Sequence, residues 1–277
     1  ACLISACGTG ANPPDISLPT VSALPHNLRE ESYSDLGDLG GASVYTIHTT
    51  IDLDGDVVRV HGTEEILFTN QETVPLESIY FRLIPNMSGD YLAVSEVKVD
   101  DMIMQPVLEY AGTALKVDLE APLAPKENAL ISLQFNEVVP SVMGGNYGLY
   151  VYLDDILALD AFFPIIPVYN DEGWNVEDPP QNADMIFADA AFFSVTVDAP
   201  DDLVLVAGGR ETERTITGNR QIVTFEGGPQ RDFYLAASPN FVSVSDMVDG
   251  TLVTSYFLEE FRDSGEMVLD VGVQALE

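Results

Sequence analysis

Apolar and polar residues alternate with a period of two from about residue 43. Tyr45, Ile47, Ile51 and Leu53 interleave with Thr46, His48, Thr50 and Asp52. Val58, Val60, Ile66 and Phe68 follow, then Ile79, Phe81 and Leu83, then Val97 and Val99. The pattern returns at Leu115, Val117 and Leu119, at Ile131, Leu133 and Phe135, and at Phe193, Val195 and Val197. Further runs read LVLVA, IVTF, FYLAA, FVSV and LVTSYF. Many short alternating runs with turn residues between them predict an all-β fold, an antiparallel β-sandwich or saddle-like domain. No helical period interrupts residues 43 to 257, which argues against βαβ units.

Two details refine this reading. Glu64 breaks the inward row Val58, Val60, Gly62, Ile66, Phe68, and a bulge near Gly62 is expected to re-aim it, with a place in a cleft as the alternative. The run DLDGD at 52–56 carries Asp at alternate positions, as calcium loops do. A full EF-hand loop needs a Glu at its twelfth position, where this chain has Thr63, so a hairpin with Asp-Gly at its tip is the better reading.

The two ends follow other rules. Phe261, Ser264, Val268, Val271 and Ala275 fall near one face of a 3.6-residue period, widened by Leu269 and Leu276, so residues 258–277 are expected to begin a helical region. Residues 8–41 are rich in Pro and Gly with little apolar periodicity, and read as a flexible tether. Ahead of it, Ile4-Ser5-Ala6-Cys7 resembles a bacterial lipobox. On that likeness residues 1–7 are the remnant of a signal peptide, Cys7 carries lipid, and the protein is lipid-anchored at the cell surface or on the periplasmic side of a bacterial membrane.

Composition narrows the function classes. Eleven Lys and Arg face 45 Asp and Glu, a formal charge of −34. Such a surface repels phosphate backbones, so nucleic acid is not an expected partner. Its simplest meaning is solubility in salty or extracellular surroundings. No phosphate-cradling loop and no G-x-S-x-G nucleophile motif occurs.

The order of residues across 43–277 resembles the N-terminal β-domain of the gluzincin aminopeptidases, the zinc metallopeptidase family of alanyl aminopeptidase. The likeness begins at Tyr45, Ile51 and Asp52. It continues through V-x-G-x-x-x-I-x-F-x-N at Val60, Gly62, Ile66, Phe68 and Asn70, then through Leu76, Ile79, Phe81 and Leu83. An L-x-V-x-L strand at 115–119, Pro-Leu at 122–123 and I-x-L-x-F at 131–135 come next. Tyr147-Gly148, Phe163-Pro164 and Trp174 match one branch of the family. Phe193, Val195, Val197 and Pro200, then Ala207 and Gly209, then Asp232-Phe233, Ala236, Ser238 and Phe241 complete it. The resemblance implies a β-domain at 42–257 and the start of a catalytic domain at 258–277.

It also implies that the chemistry lies elsewhere. The family's zinc is held by H-E-x-x-H on a helix and a later Glu. His26, His48 and His61 are the only histidines here. None pairs at that spacing, and all three read as solvated. No catalytic or metal-binding residue is therefore expected in this chain, and zinc would belong to a catalytic domain outside it. The family's β-domain walls one side of the peptide cleft and often offers a Gln or Glu to the substrate's free amine, upstream of a Phe-Pro pair. Upstream of Phe163-Pro164 stand Asp154, Asp155 and Asp160 instead. Asp160 is the candidate for substrate binding, with an exposed loop aspartate as the alternative. Trp174, in the acidic run YNDEGWNVEDPP, is the second candidate, for a cleft rim or a cation, with a solvated loop as the alternative. The rival reading of the whole chain is a non-enzymatic surface lipoprotein that binds a peptide or cation through its β-domain.

Overall fold

The first hairpin organises the structure, a computed structural model that describes residues 24, 26, 28–143, 148–178 and 184–277. Strands β1 (Val44–Asp54) and β2 (Val57–Thr69) pair in antiparallel register from Val44↔Leu67 to Asp54↔Val57. Gly55 turns the tip at φ +61°, a backbone state that glycine enters freely. DLDGD is thus a hairpin tip. The next strands are β3 (Leu76–Arg82), β4 (Leu92–Val99), β5 (Met102–Ile103), β6 (Val107–Glu109), β7 (Ala114–Leu123) and β8 (Asn128–Val139). Then come β9 (Tyr150–Leu153), β10 (Ile156–Asp160), β11 (Tyr169–Asn170), β12 (Gly173–Trp174) and β13 (Ala191–Pro200). The chain continues through β14 (Val204–Ala207), β15 (Arg210–Thr217), β16 (Arg220–Gln230), β17 (Tyr234–Ser238), β18 (Phe241–Val248), β19 (Thr251–Leu258) and helix α1 (Arg262–Leu276).

Eight strands form the main sheet in the order β15-β16-β13-β1-β2-β8-β4-β5. Its inner rows, with Ile47, Val60, Ile131, Phe135 and Val195, are fully buried. Its outer face carries His48, His61, Gln134 and Thr196, so one face packs and one meets water. Each large apolar side chain on the inner face contributes about 1.5–3 kcal/mol. All pairings are antiparallel except β1 with β13, which run parallel from Val44↔Phe192 to Thr50↔Asp198. A parallel pair needs a long crossover, and here the whole stretch from β2 to β12 provides it.

That crossover builds the β3-β7-β6 sheet and supplies β9 and β10 to a second, ordered β14-β17-β10-β9. The segment after β10 locks them to the main sheet. Phe162 and Phe163 are fully buried; Phe163 lies 5.9 Å from the rings of both Tyr45 and Phe193, and Phe162 lies 6.2 Å from Phe135. Ile165 and Arg82 exchange backbone hydrogen bonds of 2.7 and 3.1 Å, which ties this segment to β3.

The structure departs from expectation at two places. The β1–β2 and β2–β8 registers run without a break past Gly62, so no bulge re-aims Glu64. Glu64 continues the inward row and is 1 % exposed. Gly62 serves packing instead: a Cβ there would lie 2.6 Å from Phe135 Cζ and 2.5 Å from the His48 carbonyl oxygen. Within the stretch expected as a tether, Glu30–Leu39 forms a 3-10 helix with Leu36 buried. The helical end expected at 258–277 is α1. Helix and hairpin β18–β19 pack together through Gly265, where a Cβ would lie 2.0 Å from the Phe257 ring, and beside Gly272. The apolar stripe is exposed at Phe261, Val268 and Val271. Two glycines let helix and hairpin approach more closely than the bulkier stripe would allow.

Candidate functional site

The end of β10, the residue pair before β17 and the segment before β13 place three carboxylates within electrostatic reach of one another. Asp160 closes β10 and stands opposite Tyr234 of β17 in the antiparallel ladder. Its backbone N–H donates to the Leu149 carbonyl at 3.0 Å. Ala161 follows at φ +43°, which turns the chain inward to Phe162 and Phe163. Asp160 is therefore a half-buried strand-end residue and not a loop aspartate. Burial, then the charges of Asp232 and Asp184, push its pKa up to about 6. Burial and then Asp184 raise Asp232, and burial and then Asp160 raise the Tyr234 hydroxyl. Burial comes first for both Asp160 and Asp232, and a protonated amine placed beside them would favour their charged forms. Asp184 and Asp232 were not singled out in the sequence. Asp232 follows Arg231 in an ordinary turn, and no local pattern couples it to a residue so far upstream.

Trp174 occupies a different place. It lies on the small hairpin β11–β12, half-buried, and its Nε1–H donates to the Ser78 carbonyl at 3.0 Å. Its ring meets Tyr169 at 5.2 Å and Phe68 and Tyr80 at 6.3 Å. Its acidic loop is anchored at Asp178, which accepts hydrogen bonds from Arg82 at 3.1 Å and from the Thr113 hydroxyl at 3.0 Å. Arg82, only 5 % exposed, also donates to the Val176 carbonyl. Trp174 lines an open groove that also holds Asp189, whereas Asp160 groups with Asp184 and Asp232.

Asp154 and Asp155 form the β9–β10 turn, both at positive φ. Asp155 accepts from the Tyr152 hydroxyl at 3.3 Å and from Asn240 at 3.2 Å. His48 and His61 are exposed on the outer face of the main sheet, and His61 Nδ1 lies 3.9 Å from Asp52. His26 differs from expectation: it is half-buried, with its ring 4.9 Å from that of Tyr33. Among the described residues no three His, Cys, Asp or Glu side chains converge as metal ligands. His48 and His61 thus have no third donor, and this donor set does not fit zinc. Cys7 and Tyr147 lie outside the described residues.

Two further acids lie inside the sandwich. Both oxygens of Glu64 lack a hydrogen-bond partner, and burial holds its carboxyl well above the usual range. Glu137, 3 % exposed, accepts a 2.5 Å hydrogen bond from the Tyr150 hydroxyl, and burial outweighs that bond in raising its pKa.

Comparison with known proteins supplies the remaining observation. No family model matches the chain. Aminopeptidase M1 of Arabidopsis thaliana is 28% identical over 178 residues, which is 57% of this chain and 20% of that protein. The M1 zinc metallopeptidase of Deinococcus radiodurans has the same fold in two crystal structures. One is a mutant bound to a Tyr-Ser-Ala substrate and the other carries no such substitution, each with a TM-score of 0.50 and 17% identity over 78% of this chain and 46% of theirs. The chain has the fold of the matching part of these M1 zinc metallopeptidase structures.

The chain spans about a fifth of the curated relative and under half of the solved ones. The residues that mark the M1-like β-domain have physical duties in it. Val60, Ile66 and Phe68 face the core from β2, and Gly62 admits the Phe135 ring. Asn70, fully buried, donates to the Val74 and Leu123 carbonyls at 2.9 and 2.8 Å and accepts from the Glu72 N–H at 2.9 Å. It staples the turn after β2 onto β7.

Proposed function

We infer that this chain is the non-catalytic N-terminal part of a zinc-dependent aminopeptidase, and that it walls one side of the peptide cleft. The observation that carries the reading is the half-buried Asp160 at the end of β10, with the charges of Asp232 and Asp184 acting on it. The free amine of a peptide supplies that charge, and Asp160 anchors it. Zinc would belong to the catalytic domain and supply the activated water for hydrolysis; none of the side chains described here would hold it. The apolar face of α1, with Met267, Val268 and Val271 exposed, offers that domain a surface to pack on. Cys7 would carry the lipid that anchors the protein at the cell surface or on the periplasmic side of a bacterial membrane.

Steady-state kinetics on the protein of the whole reading frame test this. Asp160→Asn should raise KM for peptides with a free N-terminus and leave kcat nearly unchanged. An unchanged KM would remove Asp160 from the cleft.

A further inference from the structure

The backbone before β1, the end of β2, residues 166–174 and residues 189–191 meet around an open groove of about 420 Å³. Ligand sites run from about 300 to 1,000 Å³, so this groove suits one side chain or a ligand of that size. Its walls include Tyr45, Phe68, Tyr169 and Trp174. The Tyr169 and Trp174 rings stand at 83° to each other, so the pair presents a face beside an edge. Glu72 and Asp189 also line the groove, and no Lys or Arg does among the described residues. Neither carboxylate takes part in an ion pair among the described residues. Arg231 acts on Asp189 only as a neighbouring charge, while burial pushes that carboxyl up.

We propose that this groove binds a guanidinium side chain, stacked on the aromatic wall and bridged by Asp189 and Glu72. Aromatic faces favour a cation over a neutral group. A guanidinium is planar, weakly hydrated and forked, so it can stack on a ring and pair with a carboxylate at once; an ammonium is a compact, strongly hydrated point charge. The charge of −34 draws such a cation from a distance. The ligand is arginine, free or within a peptide. The site stands on this chain alone and does not require the peptidase reading.

Trp174 is the single tryptophan, so its fluorescence reports on the groove directly. The 277-residue chain is titrated with arginine amide, lysine amide and the neutral isostere citrulline amide, and calorimetry repeats each titration without relying on the fluorophore. Saturable binding of arginine amide is expected, with lysine amide several-fold weaker and citrulline amide without effect. Asp189→Asn and Glu72→Gln, both away from the core, should each weaken arginine amide about tenfold, the order expected for loss of a charge-assisted contact. A peptide with an internal arginine and blocked ends separates the sources. Tighter binding than arginine amide assigns the groove to a peptide side chain, and weaker binding assigns it to the free amino acid. Equal binding of lysine or citrulline amide, no saturable signal in calorimetry, or indifference to both substitutions would overturn the proposal.

Discussion

Asp160 of β10 stands directly across the ladder from Tyr234 of β17, and after burial its charge raises the tyrosine hydroxyl. Asp232 lies two residues before that tyrosine. Negative charge therefore gathers at one end of the central strand pair of the small sheet. The first expected outcome concerns this spot. The Asp160 carboxyl should titrate near pH 6 in carbon-detected NMR, and Asp232→Asn should bring it down towards the usual aspartate value. The sign for stability follows from linkage. A raised folded pKa means that the folded state keeps a proton the unfolded state loses, so stability falls as pH rises from the usual value of 3.8 through about 6. Asp160→Asn should remove that fall.

Glu64 obeys the same rule more strongly. Its folded pKa lies well above 4.5, because both oxygens are buried without partners. Above pH 4.5 the domain should lose about 1.4 kcal/mol per pH unit from this group until the folded pKa is reached. Glu64→Gln should flatten that slope, measured by urea unfolding from pH 4 to 8. Equal slopes in both proteins would show that Glu64 is ionised in the fold.

Gly62→Ala brings a methyl group against the Phe135 ring and the His48 carbonyl. Overpacking of this kind costs about 1–3 kcal/mol. The loss should appear as a lower midpoint in urea with an unchanged m-value.

The end of the chain separates two faces of one helix. Gly265→Ala pushes α1 away from Phe257 and should destabilise the helix–hairpin unit, read by amide exchange across β18, β19 and α1. Val268→Asp and Val271→Asp alter exposed positions and should change stability by no more than about 0.5 kcal/mol.

The period-two pattern located most of the core. Tyr45, Ile47, Ile79, Phe81, Val117, Ile131, Phe135, Phe193 and Val195 all turn inward as their alternation requires. What it could not show was the parallel pairing of β1 with β13, because alternation carries no information on which strand lies beside which. Glu64 misled for a related reason. A polar residue in an inward row reads as a break in the strand, yet an unbroken ladder with eleven paired positions in β1–β2 holds it inside. The helical period located α1, but which of its faces meets the hairpin depends on Gly265 and Gly272, which an apolar pattern does not register. At the candidate site, the family resemblance singled out Asp160 from its place before Phe163-Pro164. Its partners Asp184 and Asp232 were not legible, since only the β10–β17 ladder and the segment before β13 bring them near.

The central claim is that Asp160 anchors a peptide amine in the cleft of a zinc aminopeptidase. The most direct measurement compares hydrolysis of a peptide with a free N-terminus and the same peptide acetylated, by the protein of the whole reading frame and by its Asp160→Asn variant. The expected result is zinc-dependent cleavage of the free peptide, little of the acetylated one, and a KM for the free peptide raised about tenfold in the variant, the order expected for loss of a charge-assisted hydrogen bond. Hydrolysis that ignores acetylation, or a variant with the original KM, would contradict the account.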